Sequence, residues 1–456
     1  SYRGPIREKG IPNVFNVYDL DNTKKKARQD EWQEQTQSIF ASVEVGWKSM
    51  LYLTLTGRND WASQLANSST PCFFYPSVGL SGVISEMLTL PEFIDYMKVR
   101  GSFSSVGMPY PRNLTSPTYE YDEANQQWKP KTHYPIKDLK PERTNSWELG
   151  LDMRLFKDFS LGFSWYLANT FNQTFDPKVS VSSGYSKIYL QTGYVRNSGV
   201  ELSLGYGHTW NNHLHWESNF TLSHNKNTIK DLVTSYIHPE TGLPITQNRL
   251  DVGGLGKARF ILKKGGTLGD LYTQSDLKRD NSGMVEIDPS GALTTEDNLP
   301  DIKLGSVFPK ANLAWNNRFE WRGISLSALF TARIGGIAYS ATQAAMDQYG
   351  VSERSAQARD NGGVLLNGRT LVDAQTYYSL IGNSSGLPQY YTYSATNVRL
   401  QEASVGYTIP RKWLGGVCDI NVSVVGRNLW MIYCRAPFDP EAVANTCLLY
   451  TSPSPR

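Results

Sequence analysis

The fold this sequence predicts is all-β: an antiparallel up-and-down transmembrane barrel, here open and partial, with about twelve strands, long extracellular loops and short periplasmic turns. Three observations predict it. The first is strict alternation. Residues 144–172 read TNSWELGLDMRLF, then KD, then FSLGFSWYLANTFN. Trp147, Leu149, Leu151, Met153 and Leu155 fall on one face of the first arm, with Glu148, Gly150, Asp152 and Arg154 on the other. Phe159, Leu161, Phe163, Trp165 and Leu167 repeat the pattern in the second arm. A period of two is the signature of a strand with unlike faces, and arms of about ten residues suit a tilted membrane crossing. The second observation is hydropathy. No run of around 18 apolar residues occurs, which excludes a helical span, and a mean hydropathy of -0.41 is compatible with a polar lumen. The third is that the connections are sided. Links within strand pairs are short, whereas those between pairs are long: 61–71, 107–143, 173–197, 226–307 and 335–396.

Six strand pairs account for the chain in order. Alternation begins at Ser38, with Ile39, Ala41, Val43, Val45 and Trp47 on the apolar face, and continues after a short turn with Leu51, Leu53 and Leu55. Residues 73–85 and 96–106 form the second pair, joined by a modest segment at 86–95, and the hairpin above is the third. The fourth, 199–210 with 214–225, turns at Asn211-Asn212, a strong hairpin signal. The fifth, 309–321 with 324–334, turns at Arg322-Gly323; the sixth is 397–408 with 418–429. In the sixth pair Val398 and Leu400 lie on one phase, but Ala403, Val405 and Tyr407 on the other. A one-residue bulge near Gln401-Glu402 absorbs the slip, because any insertion into a period of two exchanges the faces. Trp47, Phe156, Phe159, Trp210, Trp216, Trp321, Tyr407 and Trp413 cluster beside the short turns, as a girdle at headgroup depth would require.

Composition narrows the function. A net charge of +3 over 456 residues gives no reason to expect nucleic acid. Cys72, Cys418, Cys434 and Cys447 show neither metal-ligand spacing nor a CxxC. The chain opens on Ser1-Tyr2-Arg3, which reads as the start of a truncated segment.

Several stretches together resemble one family: LTGRNDWASQL (55–65), YPSVGLSGVISE (75–86), LKPERTNSWELGLD (139–152), NSGVELSL (197–204), GVSERSAQARDNGGV (350–364), RLQEASVGYTIP (399–410) and VVGRNLWMIYCRAPFDPEA (424–442). The chain resembles the C-terminal part of the barrel of a SusC/RagA-type TonB-dependent outer-membrane transporter. The resemblance implies a barrel of about 22 strands, closed by an N-terminal plug and energised by the TonB-ExbB-ExbD complex through a region absent here. It implies active import of oligosaccharides or peptides across the bacterial outer membrane, without enzymatic activity, in partnership with a SusD-like surface lipoprotein. Residues 1–446 are expected to be the barrel portion. Residues 447–456, CLLYTSPSPR, lack alternation and depart from the family's ending, so they are expected to be a non-native tail.

Candidate sites fall in the long loops. Tyr119, Tyr121, Trp128 and Tyr134 lie in one, and Tyr377, Tyr378, Tyr390, Tyr391 and Tyr393 in another. Flat apolar rings with a polar tip suit stacking on sugars or grasping peptide; packing among the loops is the alternative use. Glu148 and Asp152 share a face, but Arg154 shares it too, so a lumen wall of interspersed charges explains all three and no glycosidase pair is expected. His208, His213 and His215 lack a carboxylate placed to complete a metal site. Asp280 to Asp288 carries scattered oxygen donors but not the spacing of a calcium loop, leaving no cofactor expected. A secreted β-rich glycan-binding or glycan-degrading protein is the alternative reading; it leaves the sided loops unexplained.

Overall fold

The computed structural model describes residues 33–441, apart from 67, 112–113, 115–119, 123–126, 130–132, 135–139, 176–186, 189, 211–212, 238–243 and 384–385; it also describes Tyr2–Arg3 paired with Lys26–Ala27. Tyr119, the Asn211-Asn212 turn and the tail from 447 lie outside the described residues.

Twelve strands form one antiparallel sheet in which every strand pairs with its sequence neighbours and none crosses over. They are β1 (Thr36–Trp47), β2 (Leu51–Ala62), β3 (Cys72–Val83), β4 (Ile94–Met108), β5 (Glu142–Leu155) and β6 (Phe159–Phe175). Then follow β7 (Leu190–Thr209), β8 (Leu214–Asp231), β9 (Ala311–Trp321), β10 (Ile324–Ile334), β11 (Asn397–Ile409) and β12 (Ile420–Cys434). β1 and β12 are the two edges, so the sheet is open. A strand of about twelve residues rises ~40 Å; tilted, it covers the ~25 Å apolar band of a membrane barrel.

The β5–β6 register runs from Arg143↔Phe171 to Leu155↔Phe159, so the alternating residues meet like with like across the pair. The outward face is apolar and open: Trp147 is 53% and Leu149 56% exposed. The short turns are made by left-handed residues. Arg322 (φ 49) and Gly323 (φ 90) join Trp321 directly to Ile324, a two-residue turn whose twist matches the strands. A side chain at Gly323 would strike the Thr408 carbonyl, 2.8 Å from its Cβ. The link between β3 and β4 is longer and contains a single helical turn, Ile84–Met87.

Around the short turns Trp47, Phe156, Phe159, Trp210, Trp321, Tyr407 and Trp413 are exposed, which is the expected girdle. Trp216 departs from it: it lies parallel to Phe319 at 5.7 Å and donates its indole N–H to Asn317. The bulge falls on Gln401, since Glu402 pairs with Leu329 and Leu400 with Phe330.

Little of the buried apolar core lies in this sheet. Most sits beyond its long-loop end, in a cap built from residues 232–310 and 335–396. The first loop folds a four-stranded sheet from Arg249–Leu255, Ala258–Lys263, Asp270–Thr273 and Ile302–Ser306. The second supplies helices α1 (Ala341–Gln348), α2 (Glu353–Asp360) and α3 (Ala374–Gly382). Each helix begins on a side chain that accepts from the first turn: Ser340 from Gln343, Ser352 from Ser355 and Asp373 from Thr376.

Candidate functional site

Among the described residues, the cap and the inner face of the sheet are surfaces that can meet a solute. In the cap, Leu277, Val285 and Leu293 from the first loop pack with Ala344, Val372, Ile381 and Leu387 from the second. Polar contacts repeat the junction. Asn367 exchanges two hydrogen bonds with the backbone of Val285, at 2.8 and 2.9 Å, and Gln389 and Tyr390 both donate to Asp276. A second cluster fastens the cap to the rim, joining Val195 of β7 and Ile229 of β8 to Leu250, Leu262 and Leu268.

This packing takes up part of the tyrosine set. Tyr391 is fully buried and Tyr377 is 9% exposed, both within the shared core, so their rings are walls of the cap and not open platforms. Of the two uses open to the second-loop tyrosines, packing among the loops is the one these two take. The reason is that α3 and the strand pair Ile337–Tyr339 with Thr392–Ser394 turn those two rings inward. Tyr378, Tyr390 and Tyr393 are half-buried and pack against that core. Burial pushes the Tyr377 phenol up to about 12 and raises Tyr390 and Tyr391 further, so these phenols stay neutral. In the other loop, Tyr121 pairs with Trp128 across a small hairpin, and Tyr134 pairs with Ile188 in a short parallel bridge.

Asp347 is wholly buried where α1 meets α2, and accepts from Ser352 and from Arg354. The Arg354 guanidinium lies 4.9 Å from the Tyr391 ring and 5.7 Å from that of Tyr378. A buried carboxylate needs such partners. The sequence offers no local sign of this group, because Tyr391 is distant along the chain.

The inner face is a mosaic of charges. Arg100 reaches Asp152 (2.7 Å), Glu148 (3.5 Å) and Ser164 (2.7 Å) by lying flat across Gly150, where a Cβ would come within 2.5 Å of its Nε. The two carboxylates are thus matched to one cation, as in a lumen wall. A concavity of about 670 Å³ opens here, lined by Arg100, Asp152, Glu201, Arg333, Gln401 and Glu441 among others. Above it Arg399, 5% exposed, donates to both oxygens of Asp439 (3.1 and 2.8 Å) and lies 3.4 Å from Glu441. Asn397 donates to Glu441 as well. This clamp ties the segment after β12 to the wall, while Phe438 meets the Tyr393 ring edge-on at 5.4 Å. Its two halves lie within the stretches 399–410 and 424–442, yet neither stretch alone shows the pairing.

The histidines go separate ways: His208 to Asp158 (2.7 Å), His215 to Thr209 (2.9 Å), and His213 into the turn at φ 63. Among the described residues no three His, Cys, Asp or Glu side chains converge as a metal site. Asp280 and Asp288 each close a tight turn, accepting from the residues two and four ahead. Both carboxylates are held below their usual range by the serine hydroxyls of those turns, Ser282 and Ser290. Cys72, Cys418 and Cys434 are free thiols.

With this geometry in place, residues 2–429 match the family described as TonB dependent receptor-like, beta-barrel. The chain belongs to that family. TonB-dependent receptor P3 of Formosa agariphila is 23% identical over 465 residues, covering 95% of this chain and 45% of that protein. TonB-dependent receptor P26 of the same organism is 23% identical over 460 residues, covering 93% and 44%. The chain therefore spans about half the length of the curated relatives it matches. Among solved structures, the RagAB peptide transporter superposes with a TM-score of 0.70 at 18% identity, over 94% of this chain and 47% of that one. RagAB in its closed-closed state gives 0.69 at 19%, with the same coverage. The likeness is one of fold. As a TonB-dependent receptor barrel, the sheet belongs in the outer membrane, and its exposed outward residues are its lipid-facing surface.

Proposed function

We propose that this chain is the C-terminal portion of the wall and cap of an outer-membrane active importer of the SusC/RagA type. The observation that carries the reading is the family match across nearly the whole open sheet. Cargo engages the cap and lumen, and energy arrives from the TonB-ExbB-ExbD complex through a plug that this stretch does not include. A SusD-like surface lipoprotein is the partner, and the RagAB neighbours, described as a peptide importer, support a two-protein arrangement. The cargo is an oligosaccharide or a peptide. A wall carrying Arg100, Arg333, Asp152 and Glu201 can meet the two termini of a peptide as well as the hydroxyls of a sugar. Tyr119, Tyr121, Trp128 and Tyr134, with Tyr378, Tyr390 and Tyr393, remain the proposed contacts.

The test is uptake by the complete protein. Deletion of its gene should abolish growth on one cargo class, and Trp128→Ala should weaken binding of that cargo by the purified transporter. Growth unchanged on both peptides and oligosaccharides would remove the importer reading. The secreted β-rich alternative leaves the outward apolar face without a role. It predicts a protein that partitions into buffer without detergent and shows no heat-modifiable gel mobility, and the importer predicts the reverse. Expressed alone, this stretch should aggregate through the edges of β1 and β12 and its apolar face.

A further inference from the structure

The short turns are not alike in charge. Those between β3 and β4 and between β5 and β6 carry Glu86, Glu92 and Asp158 against Lys157, with Asp95 at the start of β4 beside them. Those between β9 and β10 and between β11 and β12 carry Arg322, Arg411 and Lys412 against Asp419, and all four of these side chains are exposed. The two basic turns touch: Ile324 pairs with Tyr407, and the Thr408 amide donates to the Gly323 carbonyl at 2.7 Å. Pro410 then starts the turn Arg411–Leu414 beside them. Three exposed aromatics share this corner: Trp321 (46%), Tyr407 (36%) and Trp413 (66%). The Arg322 guanidinium lies 5.2 Å from the centre of the Trp321 ring. Arg411 donates its Nε–H to the Gly416 carbonyl and stands 4.0 Å from Asp419.

We propose that this basic, aromatic corner binds the headgroup of an anionic phospholipid in the leaflet at the short-turn end. Aromatic rings at a barrel's rim sit at headgroup depth, which puts the three cations level with lipid phosphates. A guanidinium held beside the Trp321 ring has N–H donors to offer two phosphate oxygens. A single carboxylate among three cations leaves the corner net positive. A zwitterionic headgroup brings its own ammonium and gains little there, so the corner discriminates by lipid charge. The inference rests on the outer-membrane placement of the sheet and is independent of the cargo.

The experiment uses the complete protein in nanodiscs of equal phosphatidylglycerol and phosphatidylethanolamine, with retained lipids identified by native mass spectrometry. Wild type should retain phosphatidylglycerol selectively, and the triple variant Arg322→Glu, Arg411→Glu, Lys412→Glu should lose that preference, by about fivefold for each cation removed. Arg369→Glu, exposed in the cap at the opposite end of the sheet, should leave it unchanged. Equal retention of both lipids by wild type, or an unaltered preference in the triple variant, overturns the proposal. Should the triple variant fail to insert, Arg322→Gln with Arg411→Gln removes two of the charges without reversing them and should still weaken the preference; an unaltered preference in that variant also overturns the proposal. A salt titration of wild type serves as the companion measurement: a preference that does not fall with added salt also overturns it. Cargo uptake measured on the same variants separates this outcome from failure of the importer reading.

Discussion

Ile381 in the cap and Leu149 in the wall are both branched apolar residues, yet one is 1% and the other 56% exposed. The cap hides its apolar side chains from water with its own chain. The wall shows them outward and leaves the bilayer to cover them, while hydrogen bonds along the twelve strands close the backbone's polar groups. The same hydrophobic effect therefore builds a water-soluble style of core in one half of the molecule and a lipid-facing surface in the other. Cap and wall should fail independently, and for different kinds of substitution.

The largest effect tests the cap. Tyr391→Ala empties the centre of the shared core and should destabilise the cap by ~3–5 kcal/mol, seen as faster proteolysis of residues 335–396. The wall should keep its heat-modifiable gel mobility; losing it would show that cap and wall fold as one unit. The converse test is Leu149→Arg, an exposed position that a soluble protein would tolerate. In a bilayer it should cost ~2–4 kcal/mol near the midplane, measured by denaturant titration in vesicles, with cap proteolysis unchanged.

A third prediction concerns pH. Arg249, by hydrogen bonding, and then Lys263 hold the Asp301 carboxyl down at about 2. A depressed carboxylate contributes its stability above the unfolded value near 3.8 and loses it as pH falls through the folded one. Protonation between about pH 4 and 2 should therefore loosen the cap by about 2 kcal/mol. Asp301→Asn should flatten that acid limb in a hydrogen-exchange titration of residues 249–306. The smallest effect is in the wall: Glu148→Ala removes a 3.5 Å partner of Arg100 that is half-exposed, worth ~0–1 kcal/mol. A larger loss would mean that the lumen network holds the sheet together.

The same contrast explains what was legible in the sequence. Wall strands announce themselves because alternation is local: β10 runs over Ile324–Ile334 as read, and β5 and β6 begin or end within a few residues of the expected bounds. The cap has no such period. Leu277 meets Ile381 across about a hundred residues, and α1 to α3 are short, capped helices whose apolar sides make sense only once the neighbouring loop is in place. Loop tyrosines thus read alike in sequence, although Tyr391 is sealed in the cap and Tyr390 reaches Asp276 near its surface. Arg399 was hidden for the same reason, since its partners follow the next strand.

Gln401 shows how one surplus residue can redirect chemistry. Counting back by twos from Tyr407, Val405 and Ala403, position 399 would point to the lipid. The bulge at Gln401 reverses the count, so Val398 and Leu400 take the outer side and the Arg399 guanidinium turns in to meet Asp439 and Glu441. Gln401 thus works as a parity switch within β11. Deleting it would put a cation into hydrocarbon and free the segment that Asp439 and Glu441 tie to the wall, a structural fault much larger than the loss of one polar side chain.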